Sequence, residues 1–255
     1  MRAFEVGVML AASAGGGVMN ALAGGGTLLT FPSLVFLGMP AIQANATSTV
    51  ALLPGAASSM AGYRREVATH SEWLKTLLVP SLVGGALGSV LLLMTPEKTF
   101  ARLAPYLVLF ATLLFLFQVV SSRWREQGSA REKPGLERWA LAWALQFGVA
   151  VYGGYFGAGI GILMLVILGF LGLEDIHAMN GLKNFFGICI NGVAAGYFII
   201  RGAVVWPVAL VMVLGATAGG WAGAHFARRI GREKARIAVV VIGFGITIVL
   251  FLQRA

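Results

Sequence analysis

Lys183 is the residue whose type and position most need a chemical reason. It lies inside the apolar run Asp175–Tyr197, flanked by Asn180, Asn184 and Asn191. Those three asparagines recur at helical spacings, so they share one polar stripe, and Lys183 lies beside it. An earlier run offers Asn45, Thr47, Ser48 and Thr49, all neutral hydrogen-bonding side chains. Two glycine-rich turns accompany these runs: Gly24-Gly25-Gly26-Thr27 and Gly157-Ala158-Gly159-Ile160-Gly161. A helix that begins after such a turn aims its first N–H groups outward, which makes a ready anion site. Together these residues predict a polar cavity with one cation, suited to a small anion carrying several oxygens. The plainer alternatives are that Lys183 reaches up to the headgroups along its stem and that the glycines only let helices pack closely.

What is missing narrows the chemistry further. No Asp or Glu falls well inside an apolar run; Glu5, Glu174 and Asp175 sit at ends. That speaks against a proton antiporter built on a buried carboxylate. His70, His177 and His225 fall in a loop or near run ends, and no His/Cys cluster suggests a metal. Cys189 stands alone in an apolar run and reads as packing. No Ser/His/acid set can be assembled, so an enzyme is not expected. The glycine spacing does not fit the dinucleotide pattern either, so no cofactor is expected.

The elements that hold these residues must be membrane helices. The chain has 255 residues, 58% of them hydrophobic and only 11% charged. Soluble domains carry roughly 25% charged residues, so this chain could not clothe itself in polar surface. Its mean hydropathy is +0.84. The start, with Arg2 and a short apolar run, imitates a signal peptide, but Glu5 and a later counterpart of the segment mark it as a retained helix. Glycine-rich stretches run over 5–38 and 139–172. Each is too long for one helix and reads as two short helices in a hairpin, or as a re-entrant loop. Spans of about 20 residues are expected near 41–63, 73–94, 100–121, 175–197, 203–225 and 235–252.

The chain repeats itself at an offset near 134 residues. Gly24-Gly25-Gly26 answers Gly157-Ala158-Gly159, Asn45 answers Asn180, and Ala61-Gly62-Tyr63 answers Ala195-Gly196-Tyr197. Gly84-Gly85-Ala86-Leu87-Gly88 answers Gly219-Gly220-Trp221-Ala222-Gly223. Charge then sets direction. The net +9 comes from basic residues gathered at Arg64, Arg65 and Lys75, in the stretch 122–138, and from Arg228 to Arg236. Assigning those loops to the cytoplasm places equivalent loops on opposite sides. The expected fold is thus an all-α integral membrane protein of two inverted-topology repeats, each a glycine-broken hairpin plus three transmembrane helices. Repeat 1 covers 1–121, a cytoplasmic linker 122–138, and repeat 2 covers 139–255. Both termini are then non-cytoplasmic. The basic residues are used up by topology, which leaves no nucleic-acid patch.

The motifs Gly24-Gly25-Gly26-Thr27-Leu28-Leu29-Thr30-Phe31-Pro32, Gly38-Met39-Pro40 and Ala44-Asn45-Ala46-Thr47-Ser48 resemble the signature of the TauE/SafE sulfite exporters, the transmembrane sulfur-compound transporters. Gly157-Ala158-Gly159, with Asn180-Gly181-Leu182-Lys183-Asn184, is similar to that family's second repeat. Half two departs from half one in lacking a proline at the position of Pro32. The resemblance implies transport of small sulfur anions such as sulfite or sulfonates across the bacterial inner membrane. The expected substrate site comprises Gly24, Gly25, Gly26, Thr27, Asn45, Thr47, Ser48, Gly157, Gly159, Asn180, Lys183 and Asn184. Inverted repeats are typical of secondary transporters; the alternatives are an anion channel or uniporter, and a membrane-embedded assembly factor. The G-x-x-x-G faces at Gly84/Gly88 and Gly215/Gly219/Gly223 read as helix contacts and are compatible with a homodimer.

Overall fold

The computed structural model describes residues 2–22, 24–61, 71–122, 135–173, 175–230 and 232–252. Among them stand ten helices: α1 (Ala3–Leu22), α2 (Thr27–Phe36), α3 (Ala41–Ala61), α4 (Ser71–Met94) and α5 (Glu97–Ser122), then α6 (Leu136–Tyr155), α7 (Ile160–Phe170), α8 (Ile176–Ile200), α9 (Trp206–Ile230) and α10 (Arg232–Leu252). Four are long and apolar enough to cross a bilayer, over Glu72–Met94, Glu97–Gln118, Ala178–Ile200 and Trp206–Gly223. No strand occurs among the described residues.

Burial is inverted relative to a water-soluble bundle. On α4 the large side chains Val79, Val83, Leu87 and Leu91 point outward at every fourth residue, while Ser81, Gly84, Gly85, Gly88 and Ser89 are buried. Helix α9 repeats this, with Leu210, Leu214 and Trp221 outside and Gly215, Gly219 and Gly220 inside. Small residues inward and bulky ones outward is how helices pack when the solvent is lipid, where close approach rather than hydrophobicity holds them together. The contacts are backbone to backbone. A Cβ on Gly219 would fall on the Ala14 carbonyl, and one on Gly88 on the Val151 carbonyl. These stripes therefore bind α9 to α1 and α4 to α6 within the chain, and carry no argument for joining two copies.

Each glycine-rich stretch, expected as two short helices in a hairpin or as a re-entrant loop, contains two helices of unequal length: α1 and α6 have 20 residues each, whereas α2 and α7 have 10 and 11. Gly15, Gly16 and Gly17 do not break α1, because its neighbours press on them: a Cβ on Gly17 would strike the Ala216 carbonyl. The real break is at Gly24, and in the second copy at Gly157, both with φ +82°. The Gly24 amide donates to the Met19 carbonyl and the Gly157 amide to the Tyr152 carbonyl, a six-residue closure from the left-handed glycine itself in each copy. The far ends match as well. Met39 donates to Leu34 and Leu173 to Leu168 across the left-handed Gly38 and Gly172.

Helix pairing carries the repeat into tertiary structure. Helix α1 packs on α9 as α6 does on α4; α3 packs on α9 as α8 does on α4. The pairs α3–α8 and α5–α10 map onto themselves when the two five-helix units are exchanged. Polar bonds add to these contacts: Gln146 Nε2 on α6 donates to Ser81 Oγ on α4 at 2.9 Å, and Glu97 at the start of α5 accepts the Ala41 and Ile42 amides that open α3, at 2.5 and 3.3 Å. The loop at 64–70, residues 123–134 of the linker, and the side chains of 226–236 lie outside the described residues. The charges that argue orientation are mostly there.

Candidate functional site

The two glycine turns meet. A Cβ on Gly24 would lie 3.7 Å from the Cα of Gly161, so the two turns are about one methyl group apart there. Beside this contact is a cavity of about 60 Å³, lined by Asn20, Gly24, Thr27, Gly157, Ile160, Gly161 and faces of α3 and α8. A water needs roughly 10–15 Å³ on such a measure, so several waters or one small anion would fit. From α3 come Thr49, Leu52, Leu53 and Ala56; from α8 come Lys183, Asn184, Gly187, Ile188 and Asn191. Thr49, Leu52, Leu53 and Ala56 correspond to Asn184, Gly187, Ile188 and Asn191 at a constant offset of 135 residues. The lining is therefore symmetric in position and unequal in chemistry. Helix α3 supplies mostly an apolar wall, and α8 supplies the cation and two amides.

Each turn is tied by a side chain from the helix before it. Asn20 Oδ1 accepts the Gly26 amide at 3.3 Å, and Tyr152 donates its phenol to the Ala158 carbonyl at 2.8 Å. The glycines between serve different neighbours. Gly25 leaves room for the Phe115 ring and Gly26 for the Gly16 carbonyl, so neither lines the cavity. Helices α2 and α7 start at the cavity wall, at Thr27 and Ile160. In their first turns Leu28 and Leu29 donate to the Gly25 and Gly26 carbonyls and Ile162 to that of Gly159, and the two helix starts add partial positive charge.

Lys183 is 5% exposed and donates to Asn180 Oδ1 at 3.3 Å. Its stem lies along Gly161 in the first turn of α7. A cation set beside the positive end of a helix is unfavourable by up to about 2 kcal/mol, and an anion placed between the two reverses the sign of both interactions. Asn191 donates to the Gly187 carbonyl at 2.9 Å, with its Oδ1 toward Gly157.

Of the residues expected from the sequence, Gly24, Thr27, Gly157, Lys183 and Asn184 line the cavity. Gly159 is not in the lining; it caps α7 in a left-handed conformation. Asn180 stands behind Lys183 as its acceptor. Asn45, Thr47 and Ser48 face other helices. Asn45 Nδ2 donates to the Tyr155 carbonyl at 3.1 Å, while its Oδ1 is buried without a partner among the described residues. Thr47 Oγ1 accepts the Val205 amide at 3.1 Å, and the Ser48 and Thr30 hydroxyls lie 2.5 Å apart. Asn20 was not singled out in the sequence; a lone amide four residues before the turn, in an otherwise apolar helix, was its only signal.

A family model described as "Sulfite exporter TauE/SafE" matches residues 9–250. The chain belongs to the TauE/SafE sulfite exporter family. The match runs from α1 into the last turn of α10, so both turns and the whole cavity of this TauE/SafE protein lie within it. Among its relatives is a "Probable membrane transporter protein" of Haemophilus influenzae, 29% identical over 90% of this chain and 88% of that one. "Probable membrane transporter protein ORF9" of Sinorhizobium sp is 25% identical over 91% and 87%. "Probable membrane transporter protein YfcA" of Escherichia coli is 27% identical over 89% and 82%. No solved structure matches the chain significantly. With these names, the outward apolar stripes and the four long spans, the chain is a multi-pass membrane transporter of this family.

Proposed function

We propose that this transporter moves a small sulfur oxyanion, sulfite or a close relative, across the bacterial inner membrane by alternating access. The observation that carries the reading is the cavity where the two turns meet, with Lys183 and two helix starts around it. Lys183 supplies the charge, and Asn20, Asn184 and Thr27 supply donors. Leu52, Leu53 and Ala56 form the wall against the part of the anion that has no oxygens. The exchange-symmetric helix pairing supports two inverted repeats, which put the site near the midplane. Positive residues at 64–75, 122–138 and 228–236 support cytoplasmic loops there and both termini outside.

The test is sulfite flux in proteoliposomes. An alternating-access carrier saturates and shows counterflow, in which unlabelled sulfite on one side drives uphill entry of labelled sulfite. Lys183→Ala is expected to abolish that flux while the protein still purifies folded. Wild-type flux in that variant would remove Lys183 from the site. Flux with neither saturation nor counterflow would make the protein an anion channel.

A further inference from the structure

We infer that Gly161 is a positioning residue whose missing side chain seats the stem of Lys183 across the first turn of α7. A Cβ on Gly161 would lie 3.1 Å from Lys183 Cδ, 3.5 Å from Cγ and 3.7 Å from Cε. Its three nearest neighbours thus all belong to one side chain, the lysine of the cavity. The first distance is tighter than ordinary van der Waals contact, so the stem has to move by a few tenths of an ångström. The other flank of Gly161 faces Gly24, whose added Cβ would sit 3.7 Å from the Gly161 Cα. The residue is buried, and it stands between the opposite turn and the cation.

The backbone gives no reason for glycine here. Gly161 is helical, with none of the left-handed φ found at Gly157 and Gly159, four and two residues before it. In a helix alanine is favoured over glycine. A merely structural reading therefore predicts that Gly161→Ala is neutral or stabilising. A positioning role predicts a folded protein with a displaced ammonium and weaker anion binding. This inference rests on Lys183 being an anion-binding residue, so the experiment measures that separately.

Full-length chain in proteoliposomes is assayed for sulfite KM and maximal rate, and in detergent for Tm. The variants are Gly161→Ala, Lys183→Ala and, as control, Gly148→Ala on the exposed face of α6, where an added Cβ meets nothing within 4 Å. Gly161→Ala is expected to raise KM about tenfold, since misplacing a binding group by up to an ångström costs as much as about a hundredfold. Its Tm is not lowered, and Gly148→Ala keeps the wild-type KM. An unchanged KM in Gly161→Ala, or a raised KM with a lowered Tm, overturns the inference. If Lys183→Ala loses flux while Gly161→Ala does not, Lys183 keeps its role and Gly161 has none. If Lys183→Ala transports normally, or the unmodified chain shows no saturable sulfite flux, both readings fall.

Discussion

Gly24 and Gly157 occupy equivalent places in the two repeats, and replacing each by alanine should cost unequal amounts. Both have φ +82°. Each alanine therefore carries the same left-handed penalty of about 1–2 kcal/mol. The surroundings then separate them. At position 24 the new Cβ would find only the Gly161 Cα, at 3.7 Å, an ordinary contact. At position 157 it would lie 3.1 Å from the Gly153 carbonyl and 3.3 Å from Asn191 Oδ1. The carbonyl is fixed in α6, so relief has to come from distortion of the turn, and overpacking of this sort costs about 1–3 kcal/mol more. Gly24→Ala should thus lose about 1–2 kcal/mol, and Gly157→Ala roughly 2–5 kcal/mol. Function should split the same way, because Asn191 lines the cavity whereas the Gly24 contact leaves the side-chain amides in place. Unfolding in mild detergent gives the stabilities, and sulfite KM in proteoliposomes gives the function. Equal losses at the two sites, or a heavier one at Gly24, would refute the claim that these contacts set the cost. No loss at either would mean the left-handed turns are not held in the bilayer.

Two further substitutions probe how the helices are fixed. Glu97→Ala removes the carboxylate that accepts the Ala41 and Ile42 amides, and should cost about 0.5–2 kcal/mol with sulfite KM unchanged; Glu97→Gln should recover part of it in the same unfolding assay. Ser81→Ala and Gln146→Leu break one buried bond between α4 and α6, and a double-mutant cycle should return a coupling of about 0.6–1.7 kcal/mol. Additive losses would show that the bond contributes nothing.

Some of this architecture can be read in the sequence and some cannot, for physical reasons. Gly24 and Gly157 are legible because a helix break inside an apolar stretch needs a residue that tolerates positive φ, and the same residues recur at one offset. Gly15, Gly16 and Gly17 look like a break of the same kind, yet they are where α9 and α2 press on α1. Composition does not separate the two uses. The stripe Asn180, Asn184 and Asn191, with Lys183 beside it, is legible, since residues four and seven apart share a helical face. Periodicity says which residues share a face and leaves open what covers it. On α3 the successive hydroxyls Thr47, Ser48 and Thr49 have three different partners: the Val205 amide, the Thr30 hydroxyl and the Asn45 carbonyl, with Thr49 at the cavity wall. Thr49 alone of the three lines it.

The helix pairing also decides which bodies could move in an alternating-access cycle. Rocking residues 1–121 against 139–255 would pull α1 from α9 and α4 from α6, the pairs whose backbones touch at Gly17, Gly219, Gly88 and Gly154. Contacts that close have no side chain to take up a shift, so they behave as rigid joints. The bodies that keep those joints intact cross the sequence halves. One is α1, α3 and α9, the other α6, α8 and α4, and each contains helices of both repeats. Between these trios the principal contact is α3 on α8, and the cavity lies in it, with Thr49 to Ala56 on one side and Lys183 to Asn191 on the other. Disulfides across α1 and α9 should then leave counterflow intact, whereas one across α3 and α8 should arrest it. Arrest by the first cross-link would place the moving boundary inside a trio and defeat this division of the molecule.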